Sequence, residues 1–448
     1  MLTGKEIVVL GGGESGMGAA CLAKKKGLRV FLSDGGKIKE KYKSVLKQFE
    51  VDFEEGGHDV HRIQKAEIVI KSPGIPDTVP FIKDLKADGI PVISEIEFAG
   101  QFTQAKKICI TGSNGKTTTT LLIHHILANA GFDACLAGNV GNSFAWEVAQ
   151  GDHPVYVLEI SSFQLDGMFD FKADIAVLLN ITPDHLDRYD YDFNRYVDSK
   201  FRITRNQTKS DALIWCYDDP VLREQMTKRG VTATQYPFSL REQDYEQGAY
   251  IKDEKIRIVT NKNQFIMTLE QLALQGKHNV YNSMAAGVAA RLMDIRNDSI
   301  KQSLSDFHNI PHRPEFVSSV HGITFLNDSK ATNVNSTWYA LEYVEQPIIW
   351  IAGGIDKGND YAHIIDLVRE KVKAIVCLGI DNKKLHENFR SVVDTIVDTS
   401  SAVEAVVAAY HLAKKNDTVL LSPACASFDL FESYEDRGNQ FKEAVKRL

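Results

Sequence analysis

One stretch of the chain has residue types and spacing suited to holding phosphate: Ile110-Thr111-Gly112-Ser113-Asn114-Gly115-Lys116-Thr117-Thr118. Glycines let successive N–H groups turn inward on an anion, and the N-terminus of a following helix adds its positive dipole end. Lys116 offers a cation to the β- and γ-phosphates of a nucleotide, and Thr117 a hydroxyl to Mg²⁺. The full nucleotide-loop pattern carries one more glycine, five residues before Gly115. Ile110 stands there, so this is the shortened G-x-x-G-K-T form. Such a string also occurs in ordinary strand–helix turns, so its neighbours must decide.

Two later segments bring acids and an imidazole. Val155-Tyr156-Val157-Leu158-Glu159 is an apolar run ending in a carboxylate, where a nucleotide-bound metal would sit. A carboxylate that merely caps the next turn is the competing reading for Glu159. Leu178-Leu179-Asn180-Ile181-Thr182-Pro183-Asp184-His185-Leu186-Asp187-Arg188 delivers Asp184, His185 and Asp187 after another strand. A lone His is more often structural. This one shares a strand-end edge with Lys116 and Glu159, where open α/β sheets bind ligands.

Three elements must position these groups, and they begin alike. Apolar runs Ile7–Leu10, Ile108–Ile110 and Ile348–Ala352 each lead into a glycine turn. Continuous apolar runs predict strands buried on both faces, hence parallel sheets covered by helices. The alternation predicts an α/β chain of three domains, at 1–94, 95–309 and 310–448. A last strand at Ile90–Ile93 precedes a helix from Glu95, an apolar helix runs from Leu121, another lies around Ser283–Met293, and 240–270 reads as a small antiparallel element. In the first domain, Gly11-x-Gly13-x-x-Gly16 with Asp34 closing the next strand fits the dinucleotide fingerprint. On these residues alone an NAD-dependent oxidoreductase stays open, as does a nucleotide-binding switch without ligase activity.

Composition narrows the field. Net charge is −7, from 52 basic and 59 acidic residues spread along the chain, which offers no basic track for a nucleic acid. The six cysteines are scattered without a CxxC pair, as in a reduced cytoplasmic protein. No apolar run reaches the ~18 residues of a membrane span, so no membrane insertion is expected.

At this point the chain resembles the Mur ligases, ATP-dependent enzymes that add amino acids to the peptidoglycan precursor. Thr111–Thr118, Glu159 and Asn180–Asp187 match that family in order and spacing. So do Gly276-Lys277-His278-Asn279-Val280-Tyr281-Asn282 and Pro311-His312-Arg313. Asn327-Asp328-Ser329-Lys330-Ala331-Thr332-Asn333, Leu421–Asp429 and Tyr434–Phe441 look like the D-glutamate-adding branch. The D-N-P-R signature of the diaminopimelate- or lysine-adding branch is absent; Asp381-Asn382-Lys383-Lys384 lacks its Pro and Arg.

The resemblance implies a Rossmann-like N-terminal domain, a central P-loop ATPase-like domain with a mostly parallel sheet, and a Rossmann-like C-terminal domain. It implies ligation of D-glutamate to UDP-N-acetylmuramoyl-L-alanine, with ATP and two Mg²⁺ ions, by a monomer. A folate-acting ligase of the same fold, or another Mur step, remains the alternative. Gly112, Ser113, Asn114, Gly115, Lys116, Thr117, Thr118, Asn279, Arg313 and Asp328 are then expected at ATP, with Lys116, Glu159, His185 and Lys200 catalytic. Thr117, Glu159, His185 and a carbamylated Lys200 are expected at the metals. Glu14, Ser15, Asp34, Ser72, Pro73, Gly74 and Asn139 are expected at the UDP-sugar, and Lys330 or Lys357, Thr332, Ser427, Phe428 and Tyr434 at D-glutamate.

Overall fold

A computed structural model describes residues 6–243, 245–260, 263–274, 276–307 and 315–448. The chain divides after Phe307 into two compact units, the first holding two sheets and the second one.

The first sheet is parallel, ordered β3-β2-β1-β4-β5, from β1 (Glu6–Leu10), β2 (Arg29–Asp34), β3 (Asp52–Glu55), β4 (Ile68–Lys71) and β5 (Val92–Ile93). Ile7, Val8, Val9 and Leu10 are buried, as a central strand covered on both faces requires. Gly11 has φ +94, and a Cβ on Gly16 would stand 1.8 Å from the Gly11 carbonyl oxygen. The glycine pattern thus serves a tight strand–helix turn into the helix Glu14–Lys25.

The second sheet runs β14-β13-β12-β11-β10-β9-β6-β8-β7. Its strands are β6 (Lys106–Thr111), β7 (Ala134–Gly138), β8 (Val155–Glu159), β9 (Ile175–Leu178), β10 (Ala212–Cys216), β11 (Thr234–Ser239), β12 (Gly248–Lys252), β13 (Lys255–Thr260) and β14 (Asn263–Thr268). The strands from β7 to β12 pair in parallel, and β12, β13 and β14 pair antiparallel. The alternating stretch after 240 is therefore no separate element; it extends the central sheet. The helix after the phosphate-type loop starts at Lys116, ahead of the expected Leu121. The run Thr117–Thr120 is wholly buried, and the Thr120 hydroxyl donates back to the Lys116 carbonyl (2.8 Å). Burial thus outweighs the weak helix propensity of threonine.

The third sheet is ordered β15-β16-β20-β17-β18-β19, from β15 (Glu315–Val320), β16 (Ile323–Asn327), β17 (Ile348–Ala352), β18 (Val372–Leu378), β19 (Ile396–Thr399) and β20 (Thr418–Leu421). Only the β15–β16 pair is antiparallel. Its two faces carry separate cores, one around Trp350, Ile375 and Phe389, the other around Phe325, Val376 and Phe441.

Candidate active site

The loop Gly112–Gly115 leaves β6 and enters the helix Lys116–Asn129 with Gly115 at φ +83. A Cβ there would meet Asn282 Oδ1 at 2.5 Å, so only glycine fits this turn. The loop is strapped to the segment after β9. The Ser113 and Asn114 N–H groups donate to the Asn180 carbonyl (2.9 Å) and side-chain oxygen (2.8 Å), and Asn180 Nδ2 donates to the Asn114 carbonyl (3.0 Å). Ser113 Oγ exchanges hydrogen bonds with the Thr182 backbone (2.9 Å each) and lies 3.0 Å from the buried Tyr196 hydroxyl.

Two lysines converge on one carbonyl. Lys116 Nζ donates to the Gly112 and Ser113 carbonyls (2.8 Å each), and Lys200 Nζ to the Gly112 carbonyl (2.8 Å) and Thr111 Oγ1 (3.2 Å). Lys200 lies on the helix Phe193–Phe201 and is 2% exposed. Burial, reinforced by the Lys116 charge, holds its ammonium well below the ordinary lysine range; Asp184 and Glu159 pull the other way.

Glu159 ends β8 and is 1% exposed. Its Oε1 accepts from Asn139 Nδ2 (2.7 Å), and the Asn139 N–H donates to the Glu159 carbonyl (2.8 Å). Asn139 therefore aims this carboxylate, which no spacing rule in the sequence reveals. β9 stops at Leu178, so a loop carries Asp184 and His185. His185 caps a short 3₁₀ turn in the left-handed conformation (φ +53). Its Nε2 lies 3.7 Å from Asp184 Oδ2, and its ring packs edge-on to Phe163.

Hard divalent cations take oxygen donors. The Glu159 carboxylate and the Thr117 hydroxyl at the start of the helix Lys116–Asn129 are oxygen donors of this kind, and Glu159 and Asp184 both act on Lys200 electrostatically. This donor set fits Mg²⁺. The Lys200 amine donates to Gly112 and Thr111, and becomes an oxygen ligand only as a carbamate.

In the first sheet, Asp34 accepts from the Gly12 N–H on Oδ2 (2.5 Å) and from the Gly36 N–H on Oδ1 (2.7 Å). Oδ2 thereby braces the glycine turn, while Oδ1 closes the local turn that follows β2. Glu14 Oε1 accepts from the Ser143 N–H (3.1 Å), and Ser72 Oγ donates to the Gly11 carbonyl (3.4 Å). Ser15 lies in the first turn of the helix at Glu14. The Pro73 and Gly74 carbonyls accept from the Arg188 guanidinium (3.2 and 3.5 Å), which stacks over Phe163 at 4.3 Å. Arg188 thus ties the Ser72–Gly74 turn to the segment bearing His185. The motif string contains it, but its reach across the fold has no local signal.

Asn279 lies in the first turn of the helix Lys277–Leu292, where its Oδ1 accepts from Asn282 Nδ2 (3.3 Å). Asn282 Oδ1 accepts from Thr119 Oγ1 (3.2 Å), joining that segment to the phosphate-loop helix.

In the second unit, Asp328 is buried and accepts from Ser422 Oγ (2.8 Å). Lys330 sits 5.2 Å from the Tyr434 ring centroid. Ser427 is buried, Thr332 half-buried, Lys357 and Phe428 exposed. Arg437, 1% exposed, donates to Ser329 Oγ (3.0 Å) and to the carbonyls of Ser329 (2.9 Å), Gly353 (3.3 Å) and Cys425 (3.2 Å). One guanidinium thereby holds the three loops that carry the expected D-glutamate residues. Sequence reading missed it, because a charged helix residue is ordinarily solvated. Arg313 lies outside the described residues.

Residues 110–290 match the Mur ligase middle domain, 312–425 the Mur ligase glutamate ligase domain and 6–79 the MurD N-terminal domain. The chain belongs to the Mur ligase family, ATP-dependent ligases of three-domain α/β architecture. It is 54% identical over 445 residues to the UDP-N-acetylmuramoylalanine–D-glutamate ligase of Christiangramia forsetii, covering 99% of this chain and 100% of that one. It is 55% identical to the protein of that name from Bacteroides thetaiotaomicron, with the same coverage. Among solved structures, a pseudomurein peptide ligase type C from Methanothermus fervidus superposes at TM-score 0.62, with 21% identity and 99% of each chain covered. The UDP-N-acetylmuramate-alanine ligase of Thermotoga maritima also gives 0.62, at 16% identity and 99% of each chain. These last two likenesses concern the fold.

Proposed function

We propose that the chain joins D-glutamate to the carboxylate of UDP-N-acetylmuramoyl-L-alanine, consuming ATP. The observation that carries the chemistry is the convergence of Lys116 and Lys200 on the Gly112 carbonyl within the field of Glu159 and Asp184. Full-length identity to D-glutamate ligases supports the choice of amino acid.

A carboxylate is a poor acyl donor because its leaving group is oxide. Its oxygen attacks the γ-phosphorus, ADP leaves, and an acyl phosphate forms. The amine of D-glutamate attacks the carbonyl carbon through a tetrahedral intermediate, phosphate departs, and the amine loses a proton. The two reacting anions repel, so catalysis rests on positioning and charge stabilisation. Loop N–H groups and Lys116 hold the β- and γ-phosphates. Thr117, Glu159, His185 and carbamylated Lys200 would hold or surround the metals. Two Mg²⁺ ions, when bound there, would supply charge neutralisation to the two reacting anions. The neutral amine is the form that adds CO₂, and burial shifts Lys200 toward that form, which supports the carbamate. Asn139 keeps Glu159 aimed. Asn279, Arg313 and Asp328 contact the nucleotide. The Ser72–Gly74 turn with Glu14, Ser15 and Asp34 receives the UDP-sugar, and Lys330, Lys357, Thr332, Ser427, Phe428 and Tyr434 receive D-glutamate.

Phosphate release, measured across a panel of amino acids, tests this reading. Release is expected only with ATP, UDP-N-acetylmuramoyl-L-alanine and D-glutamate together, and is lost in Lys116→Ala. Equal turnover with L-alanine or a diamino acid, or full activity in the variant, overturns it.

A further inference from the structure

Away from the residues above, one strand–helix–strand segment of the third sheet collects three metal-binding side chains. Cys377 is near the end of β18, His386 is on the helix Lys383–Phe389, and Asp398 is on the edge strand β19. Their ligand atoms all lie within 4.8 Å of one another. Parallel pairing sets Cys377 opposite Asp398, so their side chains share a face of the sheet. The connecting helix brings His386 Nε2 to 3.0 and 3.1 Å from the two Asp398 oxygens.

A thiolate, an imidazole and a carboxylate form a donor set typical of zinc, and sites with three protein ligands keep water in the fourth position. Zn–N and Zn–O bonds of ~2.0 Å and Zn–S of ~2.3 Å put neighbouring ligand atoms about 3–4 Å apart in a tetrahedron. The His386–Asp398 separation already has that value. Asn382 Nδ2 donates to Asp398 Oδ1 (3.0 Å) and to the Gly379 carbonyl (3.1 Å), an outer partner that orients the carboxylate.

We propose that Cys377, His386 and Asp398 bind one Zn²⁺ ion per chain. The ion clasps β19 to the helix before it. That helix also carries Lys384, whose ammonium pairs with Asp356 Oδ1 (3.0 Å), so the clasp steadies the Gly353–Gly358 loop as well. A second cluster, Cys135, Glu147 and His153, meets the same distance limit. Its histidine sits on a loop with Nδ1 held by Asp133 (2.8 Å), and sites on strands and helices are held more precisely than sites on loops.

The test uses the full chain, stripped with a chelator, dialysed and titrated with Co²⁺ alone, then competed with Zn²⁺. One Co²⁺ per chain is expected, with a thiolate-to-cobalt charge-transfer band that Zn²⁺ abolishes. The band is lost in Cys377→Ser and kept in Cys135→Ser. His386→Ala and Asp398→Asn change surface-reaching side chains and leave the core intact; each lowers cobalt affinity at least tenfold. Absence of the band in the parent, its survival in Cys377→Ser, its loss in Cys135→Ser, or unchanged affinity in His386→Ala and Asp398→Asn overturns the proposal.

Discussion

Lys200 sits 2% exposed, 2.8 Å from the Gly112 carbonyl, in a place that disfavours its charged form. The unfolded chain binds a proton there more tightly than the folded chain does. The resulting penalty is present at neutral pH and fades as pH rises to the ordinary 10.5. In CO₂-free buffer the unfolding free energy of the parent should therefore climb relative to Lys200→Met between neutral pH and the ordinary value. A pH-independent difference between the two would show that burial does not disfavour the charged amine. Asn139 acts through Glu159, by a 2.7 Å hydrogen bond to a buried carboxylate. Losing an outer partner of a ligand group typically costs about 10- to 100-fold in activity or metal affinity. Asn139→Ala should lower kcat by about that factor and weaken activation by Mg²⁺. An unchanged Mg²⁺ dependence would separate Asn139 from Glu159.

At the level of elements, the turn into the helix Lys116–Asn129 has no room for a side chain. Gly115→Ala adds a Cβ 2.5 Å from Asn282 Oδ1 and forces a left-handed residue, worth roughly 1–2 kcal/mol before the clash. Nucleotide affinity by calorimetry should fall together with melting temperature; wild-type affinity would mean that the turn relaxes freely. In the second unit, Arg437→Met leaves the carbonyls of Ser329, Gly353 and Cys425 without this donor, at about 1–3 kcal/mol for each left unsatisfied. Arg437→Lys keeps the charge but not the fork that reaches several carbonyls at once. Both variants should melt earlier, Met more than Lys, and show a raised KM for D-glutamate. A variant that melts as the parent does would show the hub to be dispensable.

The whole chain shows which features its sequence made visible. Each apolar run before a glycine became a central strand, because burial on both faces leaves a continuous apolar signature that local reading detects. Lys116 and Glu159 stood out through motif order and Lys200 through the resemblance alone, and the structure brings the two lysines to the Gly112 carbonyl, within the field of Glu159. The strap at Asn180, the clasp of Arg188 on Pro73 and Gly74, and the Arg437 hub were not, because each bond joins residues distant in sequence and depends on side-chain direction. The 240–270 region read as antiparallel, which its pairing bears out, but its attachment to β11 is a tertiary choice that alternation does not encode. The unit after Phe307 has its own two cores. Expressed alone it should unfold in one cooperative transition, as a domain with its own core does. A gradual melt would contradict that independence.

On the proposed mechanism, this chain activates a carboxylate by phosphorylation. UDP-N-acetylmuramoyl-L-alanine carrying ¹⁸O in its terminal carboxylate tests it most directly. Passage through an acyl phosphate must transfer one carboxylate oxygen to phosphate, so mass spectrometry of the released phosphate should find one ¹⁸O atom per turnover. Phosphate free of label, with both labelled atoms accounted for elsewhere, would contradict the mechanism.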